Sequence, residues 1–176
     1  MNWNEYATLF LDRDGVINRH IEGRYITRWE DFEFIEGSLE ALKALSKFFK
    51  YIIVVTNQSG IERGYLTETD LHKIHGRMLQ QINTNGGRID SIFYSTGLSG
   101  SDTMRKPNTG MAIEAQKKYK DIDFKHSIMV GDKPSDIEFG KRLSMQTVFL
   151  SKMYETDSEF TLHCNDLYQF SKLVKI

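Results

Sequence analysis

Short apolar segments alternate with segments of helical periodicity along most of the chain. The apolar segments are continuous rather than interrupted by polar residues, which is typical of strands buried on both faces of a parallel sheet. Parallel strands need a crossover between them, so helices are expected on both faces. We therefore predict an α/β fold, a three-layer sandwich around a mostly parallel sheet. The predicted strands are 6–11, 51–55, 89–94, 127–130 and 147–150, and the predicted helices are 38–49, 67–82, 109–119 and 135–143.

One segment interrupts this alternation, between the first predicted strand and the first predicted helix. Residues 16–37 contain two glycines and several aromatic residues, and we interpret them as a small hairpin-like flap. The polar, glycine-rich stretch 95–106 is expected to be a loop. Neither interval is long enough for a large cap domain, and no linker divides the chain. Residues 1–176 are therefore expected to form one domain.

Composition and charge exclude several classes of protein. The 176 residues carry a formal net charge of −1, which argues against general adhesion to nucleic acid or to an anionic membrane. The longest apolar runs, such as 51–55, are far shorter than the roughly 20 residues of a membrane-spanning helix. The single cysteine cannot form an internal disulfide, and the N-terminus lacks a signal-peptide pattern, so a cytoplasmic location is expected. Without a coiled-coil seam, a monomer is expected.

Chemically reactive residues lie directly after four of the predicted strands or in the loops that follow them. In an open parallel sheet, ligands bind beyond the carboxyl ends of the strands, so these residues are expected to meet at one site. The four segments are Asp-Arg-Asp-Gly at 12–15, Thr-Asn-Gln-Ser-Gly at 56–60, Arg-Lys-Pro at 105–107 and Gly-Asp-Lys at 131–133.

Two carboxylates stand two positions apart after the first predicted strand. If the extended geometry continues, Asp12 and Asp14 point to the same side of the chain and Arg13 points away. Two like charges at this spacing favour a hard cation, and Mg²⁺ suits carboxylate and carbonyl oxygens next to a phosphate. Asp132 can supply a third carboxylate to the same cation. Whether Asp136 also contacts the cation or only serves its own helix is left open.

The other segments favour phosphate binding. The Thr56 hydroxyl and the backbone amides after it can hold phosphate oxygens, and Arg105 and Lys106 add two cations. Such a set fits phosphoryl transfer, in which a protein mainly positions the group and neutralises its charge. Asp12 would attack phosphorus and form an aspartyl-phosphate. Asp14 would protonate the leaving oxygen and later accept a proton from water.

Longer stretches around these segments carry a resemblance to known proteins. They are Phe-Leu-Asp-Arg-Asp-Gly-Val-Ile-Asn at 10–18, Phe-Glu-Phe-Ile at 32–35, Val-Val-Thr-Asn-Gln-Ser-Gly-Ile at 54–61, Arg-Gly at 63–64, Arg-Lys-Pro at 105–107 and Val-Gly-Asp-Lys at 130–133. Their order resembles the four motifs of the haloacid dehalogenase superfamily of phosphatases. Over roughly residues 5–150, the chain looks like the branch that contains D-glycero-D-manno-heptose-1,7-bisphosphate phosphatase and the histidinol-phosphate phosphatase domain.

The resemblance implies a Rossmann-like fold, and it implies roles for particular residues. Asp12 is implied to be the nucleophile and Asp14 the acid/base, with Mg²⁺ bound at Asp12, Asp132 and the backbone carbonyl of Asp14. Thr56 and Lys106 are implied to stabilise the phosphoryl group. By position, the residues expected to touch substrate are Arg13, the stretch 19–25 with Arg19 and Tyr25 at its ends, Asn57, Gln58, Ser59, Arg105 and Lys133.

One departure from that branch concerns a second metal. Its members carry a zinc-binding loop of Cys and His before the Arg-Lys-Pro motif, whereas residues 95–104 contain neither residue type, so no zinc is expected. The expected substrate is a small phosphorylated metabolite, first of all heptose 1,7-bisphosphate. Histidinol phosphate and the 3′-phosphate end of a nucleic acid are the alternatives. A non-catalytic binding protein is disfavoured, because Asp12, Asp14, Lys106 and Asp132 are all present.

Residues outside the motifs are expected to play smaller parts. His72 and His75 lie three positions apart on a predicted helix, and we expect both on its solvent-exposed face. Whether Arg63 approaches a second phosphate of the substrate or only lies on the surface is left open.

Overall fold

A six-stranded sheet in which every strand runs parallel to its neighbours forms the centre of the described structure. This computed structural model describes residues 7–21, 23–152 and 159–174. In chain order the strands are β1 (Thr8–Leu11), β2 (Tyr51–Asn57), β3 (Ser91–Ser95), β4 (Ser127–Gly131), β5 (Gln146–Leu150) and β6 (Leu162–Cys164). Their spatial order is β3-β2-β1-β4-β5-β6. All five predicted strands are present, although residue 6 and the N-terminal residues that lack a signal-peptide pattern lie outside the described residues.

Helices cover both faces of the sheet, because successive strand residues point into two separate apolar cores. In β1, Leu9 and Leu11 enter one core and Phe10 enters the other. The first core is covered by α1 (Ser38–Phe48), α2 (Glu68–Thr84) and α5 (Leu167–Leu173), and the second by α3 (Gly110–Lys118) and α4 (Pro134–Arg142). This arrangement confirms the predicted α/β three-layer sandwich.

Helix α2 shows how local sequence sets one of these elements. Thr67 Oγ1 accepts a hydrogen bond from the Asp70 N–H at 3.1 Å, while the Asp70 carboxylate accepts one from the Thr67 N–H, so the helix begins with a reciprocal cap. Its buried apolar side chains recur every three or four residues: Leu71, Ile74, Met78 and Ile82. His75 falls on this buried face and is only 5% exposed. The prediction that His75 is solvent-exposed is therefore wrong, whereas His72 is exposed.

The described residues 16–21 and 23–37 form a flap between β1 and α1. Backbone hydrogen bonds join its two ends, from the Arg19 N–H to the Glu33 carbonyl at 2.8 Å and from the Ile35 N–H to the Ile17 carbonyl at 3.0 Å. Three aromatic rings pack the flap against the first core: Trp29 stacks on Phe32, and Phe34 meets Phe32 edge-on. The hairpin-like character predicted from the sequence is confirmed. In the part of the chain that the structure describes, no large cap domain is inserted there or after β2.

The sequence did not predict the sixth strand. Leu162 to Cys164 pair in parallel with the end of β5, and this short strand closes one edge of the sheet. Cys164 is buried in the first core, where burial raises the pKa of its thiol to about 11.

Across the described ranges, every helix is too short or too polar to cross a membrane.

Candidate active site

Loops from the carboxyl ends of the parallel strands meet at a cavity of about 390 Å³. Ligands bind at this edge of an open α/β sheet because the loops diverge there. Most of the residues expected to touch phosphate or substrate line the cavity together: Asp12, Arg13, Asp14, Tyr25, Thr56, Asn57, Gln58, Ser59, Arg105, Lys106 and Lys133.

Three carboxylates and one ammonium group form the buried centre of the site. One carboxylate oxygen from each of Asp12, Asp132 and Asp136 lies within 4.8 Å of the other two. The Lys106 ammonium lies 2.9 Å from Asp12 Oδ1 and 2.7 Å from Asp136 Oδ1. The second oxygen of Asp136 accepts a hydrogen bond from the Lys133 N–H at 3.0 Å. Asp136 therefore anchors both Lys106 and the start of α4, and one of its oxygens also belongs to the carboxylate cluster.

The electrostatics of this cluster reflect too little positive charge for its three carboxylates, of which Asp12 and Asp136 are buried and Asp132 is half-buried. Burial raises the pKa of Asp12 to about 6, although the charge of Lys106 opposes the rise. Burial raises the pKa of Asp132 to about 8, and the charges of Asp12 and Asp136 add to that effect. Burial alone would lower the pKa of Lys106, but Asp12 and Asp136 raise it above its usual range. One ammonium group is therefore shared among several acidic groups that favour a further cation.

The residues at this centre fit Mg²⁺. Asp132 Oδ1 is buried and has no hydrogen-bond partner among the described residues. Gly15 packs directly against the same carboxyl group: a Cβ at this position would lie 2.0 Å from Asp132 Oδ2. A hard divalent cation prefers such oxygen ligands and would balance the excess negative charge. No side-chain oxygen of Asp14 belongs to the cluster, so only its backbone carbonyl, as predicted, is a candidate ligand.

The Asp14 carboxylate is held by three other side chains. Arg13 Nη2 donates to its two oxygens at 2.8 and 3.0 Å, and Asn18 Nδ2 and Gln58 Nε2 each donate at 2.9 Å. Burial would raise the pKa of Asp14, but the charge of Arg13 and these hydrogen bonds lower it to about 2. The expectation that Arg13 points away from the carboxylates is wrong. Strand β1 ends at Leu11 and the chain bends at Arg13, so the two-residue alternation of a strand does not continue.

His75 contacts the Arg13 guanidinium group that holds Asp14. The Arg13 side chain is 1% exposed, and its Nη1 lies 3.1 Å from His75 Nε2. A guanidinium group only donates, so Nε2 is the acceptor and the ring proton is on Nδ1. Burial, followed by the charge of Arg13, lowers the pKa of His75 to about 3. The only signal in the sequence was its spacing from Leu71 and Met78, which places it on the apolar face of α2.

The titration of His75 predicts a pH dependence of stability. In the folded chain its pKa is about 3, against 6.5 for an ordinary histidine, so between these values the unfolded chain binds a proton that the folded chain excludes. We expect His75 to lower stability as pH decreases through this window, by at most about 1.4 kcal/mol per pH unit, against the opposite effect of the raised pKa values of Asp12 and Asp132. His75→Gln keeps an acceptor but does not titrate, so urea unfolding should show the free energy of unfolding of the variant increasing relative to that of wild type as pH decreases. Parallel slopes for the two proteins would contradict this assignment.

Thr56 and Lys106 are positioned by their neighbours in the second loop. Gln58 Nε2 donates to Thr56 Oγ1 at 2.9 Å, in addition to its bond with Asp14. The Asn57 amide binds both backbone groups of Lys106, donating to the carbonyl at 3.1 Å and accepting from the N–H at 3.0 Å. Asn57, expected to touch substrate, thus uses its amide to connect the loops that carry Thr56 and Lys106.

The walls of the cavity come from the flap and from two further loops. Tyr25 stacks on Tyr65 with ring centroids 5.3 Å apart, and its hydroxyl lies 3.4 Å from Ser59 Oγ. Arg105 reaches the wall with Nη1 donating to the Gly97 carbonyl at 2.9 Å. Arg24, within the stretch 19–25 that was expected to touch substrate, lines the same cavity.

Two arginines lie away from this cavity. Arg19 pairs with the exposed Glu33 at 3.1 Å and lines a neighbouring cavity of about 860 Å³ together with Gly15 and Asp132. The structure does not bring Arg19 to the cavity that holds Asp12, because the hairpin pairing of the flap directs it toward Glu33. Arg63 is exposed and is not among the residues that line either cavity.

Known proteins resemble this chain over nearly its whole length. D,D-heptose 1,7-bisphosphate phosphatase from B. bronchiseptica, solved with magnesium and phosphate, has a TM-score of 0.85 and 26% sequence identity, covering 96% of this chain and 97% of that one. D-glycero-alpha-D-manno-heptose-1,7-bisphosphate 7-phosphatase of Photorhabdus laumondii is 38% identical over 186 residues, 99% of this chain and 100% of the relative. The Campylobacter jejuni protein of the same name is 35% identical, with 95% of each chain covered.

The parallel sheet and the acidic site at its carboxyl edge define a phosphatase of the haloacid dehalogenase class, as the sequence motifs predicted. A structure from Mesorhizobium loti described as a putative phosphatase of this class agrees, with a TM-score of 0.79 and 30% identity over 96% of this chain and 84% of that one. Residues 8–170 match the family described as Polynucleotide kinase 3 phosphatase. The chain belongs to this family.

Proposed function

We propose that this chain is a Mg²⁺-dependent phosphatase of a small sugar bisphosphate, with D-glycero-D-manno-heptose 1,7-bisphosphate as the favoured substrate. The observation that carries the proposal is the pairing of two unlike features in one cavity. At its floor lies the carboxylate cluster with Lys106, and on its walls lie three cationic side chains: Arg24, Arg105 and Lys133. The names of the two relatives at 35% and 38% identity support the same substrate.

The reaction would proceed in two displacements at phosphorus. A carboxylate oxygen of Asp12 attacks the phosphoryl group, the ester P–O bond breaks, and Asp14 gives its proton to the leaving oxygen. Water then attacks the aspartyl-phosphate, gives a proton to Asp14, and releases phosphate and the Asp12 carboxylate. Thr56 and Lys106 hold the phosphoryl oxygens through both steps. Bound Mg²⁺, held by Asp12, Asp132 and the Asp14 carbonyl, would neutralise charge between carboxylate and phosphate.

Asp14 needs its proton only while substrate is present. Its pKa is about 2 in the free protein, so it is ionised there. An anionic phosphoryl group next to it raises the pKa of the carboxyl group, because like charges disfavour the ionised form. Binding of substrate would therefore create the protonated form that the first displacement requires, and departure of the leaving group would return Asp14 to the base required by the second.

The three wall cations favour a substrate with a second anionic group. Each charge-assisted hydrogen bond to a second phosphate contributes about 1.5–3 kcal/mol, or about 10- to 100-fold in affinity. Histidinol phosphate offers a cationic amine at the corresponding end, which these side chains would repel. A nucleic-acid 3′-phosphate, the kind of group that the family description indicates, would instead favour a basic surface beyond the cavity. The net charge of −1 provides no basic surface overall.

Steady-state kinetics test the substrate. We expect kcat/KM for heptose 1,7-bisphosphate to exceed that for histidinol phosphate and for an oligonucleotide 3′-phosphate by about 100-fold, consistent with one or two lost charge-assisted bonds. Arg24→Gln should raise KM for the bisphosphate while leaving a simple aryl phosphate unaffected. Chelation of divalent cations should abolish all three reactions. A preference for either alternative ester would reject heptose bisphosphate as the substrate while leaving the phosphatase chemistry in place.

The same preparation tests two further expectations from the sequence. Elemental analysis of the purified protein should find no stoichiometric zinc, and size-exclusion chromatography with light scattering should find a monomer. We retain the single-domain organisation of residues 1–176 as part of this proposal.

A further inference from the structure

The Arg13 guanidinium is enclosed between a carboxylate and an imidazole. One side donates to the Asp14 carboxylate through Nη2 at 2.8 and 3.0 Å, and the other side lies with Nη1 3.1 Å from His75 Nε2. Arg13 and His75 are both buried, at 1% and 5% exposure. In such a position a guanidinium donor that loses its acceptor has no water to replace it.

His75 has a fixed position because it belongs to a rigid element. Helix α2 begins at the Thr67 cap and packs Leu71, Ile74 and Met78 into the first core. The Tyr94 ring from the adjacent strand packs edge-on against the imidazole, with centroids 6.2 Å apart. His75 Nε2 is therefore positioned by helix α2 and not by any of the loops that carry the catalytic residues.

We propose that His75 is a positioning residue: by accepting from Arg13, it fixes the orientation in which Arg13 holds the Asp14 carboxyl group toward the leaving oxygen of the substrate. The inference rests on the proposed function, since it assigns His75 to the step in which Asp14 protonates that oxygen. His75 and Arg13 exchange no proton in this step. The proton moves from Asp14 to the leaving oxygen as the ester P–O bond breaks.

The alternative is that His75 only packs the core, and the leaving group of the substrate separates the two. Misplacement of a general acid slows esters whose leaving oxygen needs a proton, and it spares esters that leave as stable anions. Loss of core packing lowers the amount of folded enzyme and slows both kinds of ester alike. The ratio of the two rates is therefore insensitive to a purely structural defect.

The test compares hydrolysis of phenyl phosphate and 4-nitrophenyl phosphate with Mg²⁺ for wild type, His75→Leu and His75→Gln. Leucine removes the acceptor, and glutamine supplies one through Oε1. We follow kcat/KM, because it covers the steps through aspartyl-phosphate formation and not the hydrolysis that both esters share. For His75→Leu we expect kcat/KM on phenyl phosphate to fall about 100-fold, the lower end of a general acid's contribution, and kcat/KM on 4-nitrophenyl phosphate to change less than about threefold. His75→Gln should recover most of the loss. His72→Gln, the same substitution on the exposed face of α2, is the matched control and should behave as wild type.

Several results would overturn the inference. An equal loss on both esters, no loss on either, or a failure of glutamine to restore the phenyl phosphate rate would each leave His75 as a packing residue. If His75→Leu does not fold by circular dichroism, His75→Met removes the acceptor with a more adaptable side chain and carries the same expectations. Wild type inactive on both esters would instead reject the proposed function itself, so the two failures are distinguishable.

Discussion

Asp12→Asn is expected to lower kcat for phosphate ester hydrolysis by at least about 10⁴-fold, the scale seen when a catalytic nucleophile is removed. The amide has nearly the shape of the carboxylate but cannot attack phosphorus. Lys106 keeps its partner Asp136 at 2.7 Å, so the buried ammonium group stays paired and the fold should persist. Steady-state assays with a generic phosphate ester and Mg²⁺ measure the effect, and circular dichroism verifies folding.

A matched substitution isolates the role of this one carboxylate. Asp123→Asn makes the same change at an exposed residue that begins a short turn before β4, where an asparagine can still accept the Lys125 N–H. Its kcat should equal that of wild type within experimental error. Asp12→Asn with a rate close to wild type would exclude Asp12 as the nucleophile, whatever the substrate.

Lys106→Met is expected to destabilise the metal-free protein by about 3–5 kcal/mol, the usual cost of removing one partner from a buried ion pair. The Lys106 side chain is 1% exposed and lies between Asp12 and Asp136, so methionine fills the space but leaves buried carboxylates without their cation. Hydrolysis should also be lost, because the phosphoryl oxygens lose an ammonium group. Urea unfolding in the presence of a chelator measures the first effect and ester hydrolysis the second.

A double variant separates these two effects. Lys106→Met combined with Asp136→Asn removes one of the carboxylate charges left without a cation, while the asparagine oxygen can still accept a hydrogen bond from the Lys133 N–H. We expect the double variant to recover a large part of the lost stability and none of the activity. A double variant no more stable than Lys106→Met would show that loss of the aliphatic stem of Lys106, and not an unpaired buried charge, destabilises the protein.

Much of the fold followed from the sequence because buried parallel strands have a distinctive pattern. The continuous apolar runs at 51–55 and 127–130 are strands in the structure, and they are buried on both faces as their composition predicted. Strand β6 was missed because it is a three-residue edge strand, with Leu162 and His163 only partly buried. Too few residues carry its pattern, and its pairing with β5 supplies most of what defines it.

The side-chain directions within the site could not be read from spacing. The alternation rule placed Arg13 opposite Asp12 and Asp14, but it holds only inside a strand, and β1 ends at Leu11. Helical spacing from Leu71 and Met78 indicates that His75 lies on the apolar face of α2, but it did not reveal the contact of His75 with Arg13 or that of His72 with the Tyr94 hydroxyl. The direction of Arg13 and the contacts of the two histidines depend on which side chains of other elements lie next to them in the folded protein.

By itself, the sequence determined the sheet, its helices and the chemistry of its carboxyl edge, because patterns of apolar residues and reactive residues after strands are local properties of the chain. Tertiary structure decided which charged and polar side chains lie next to each other. Asp136 pairs with Lys106 from thirty positions away, and His75 approaches Arg13 across sixty-two. Such contacts depend on the relative placement of separate elements in a buried, low-dielectric space, where a shift of a few ångströms changes both the partner and the pKa.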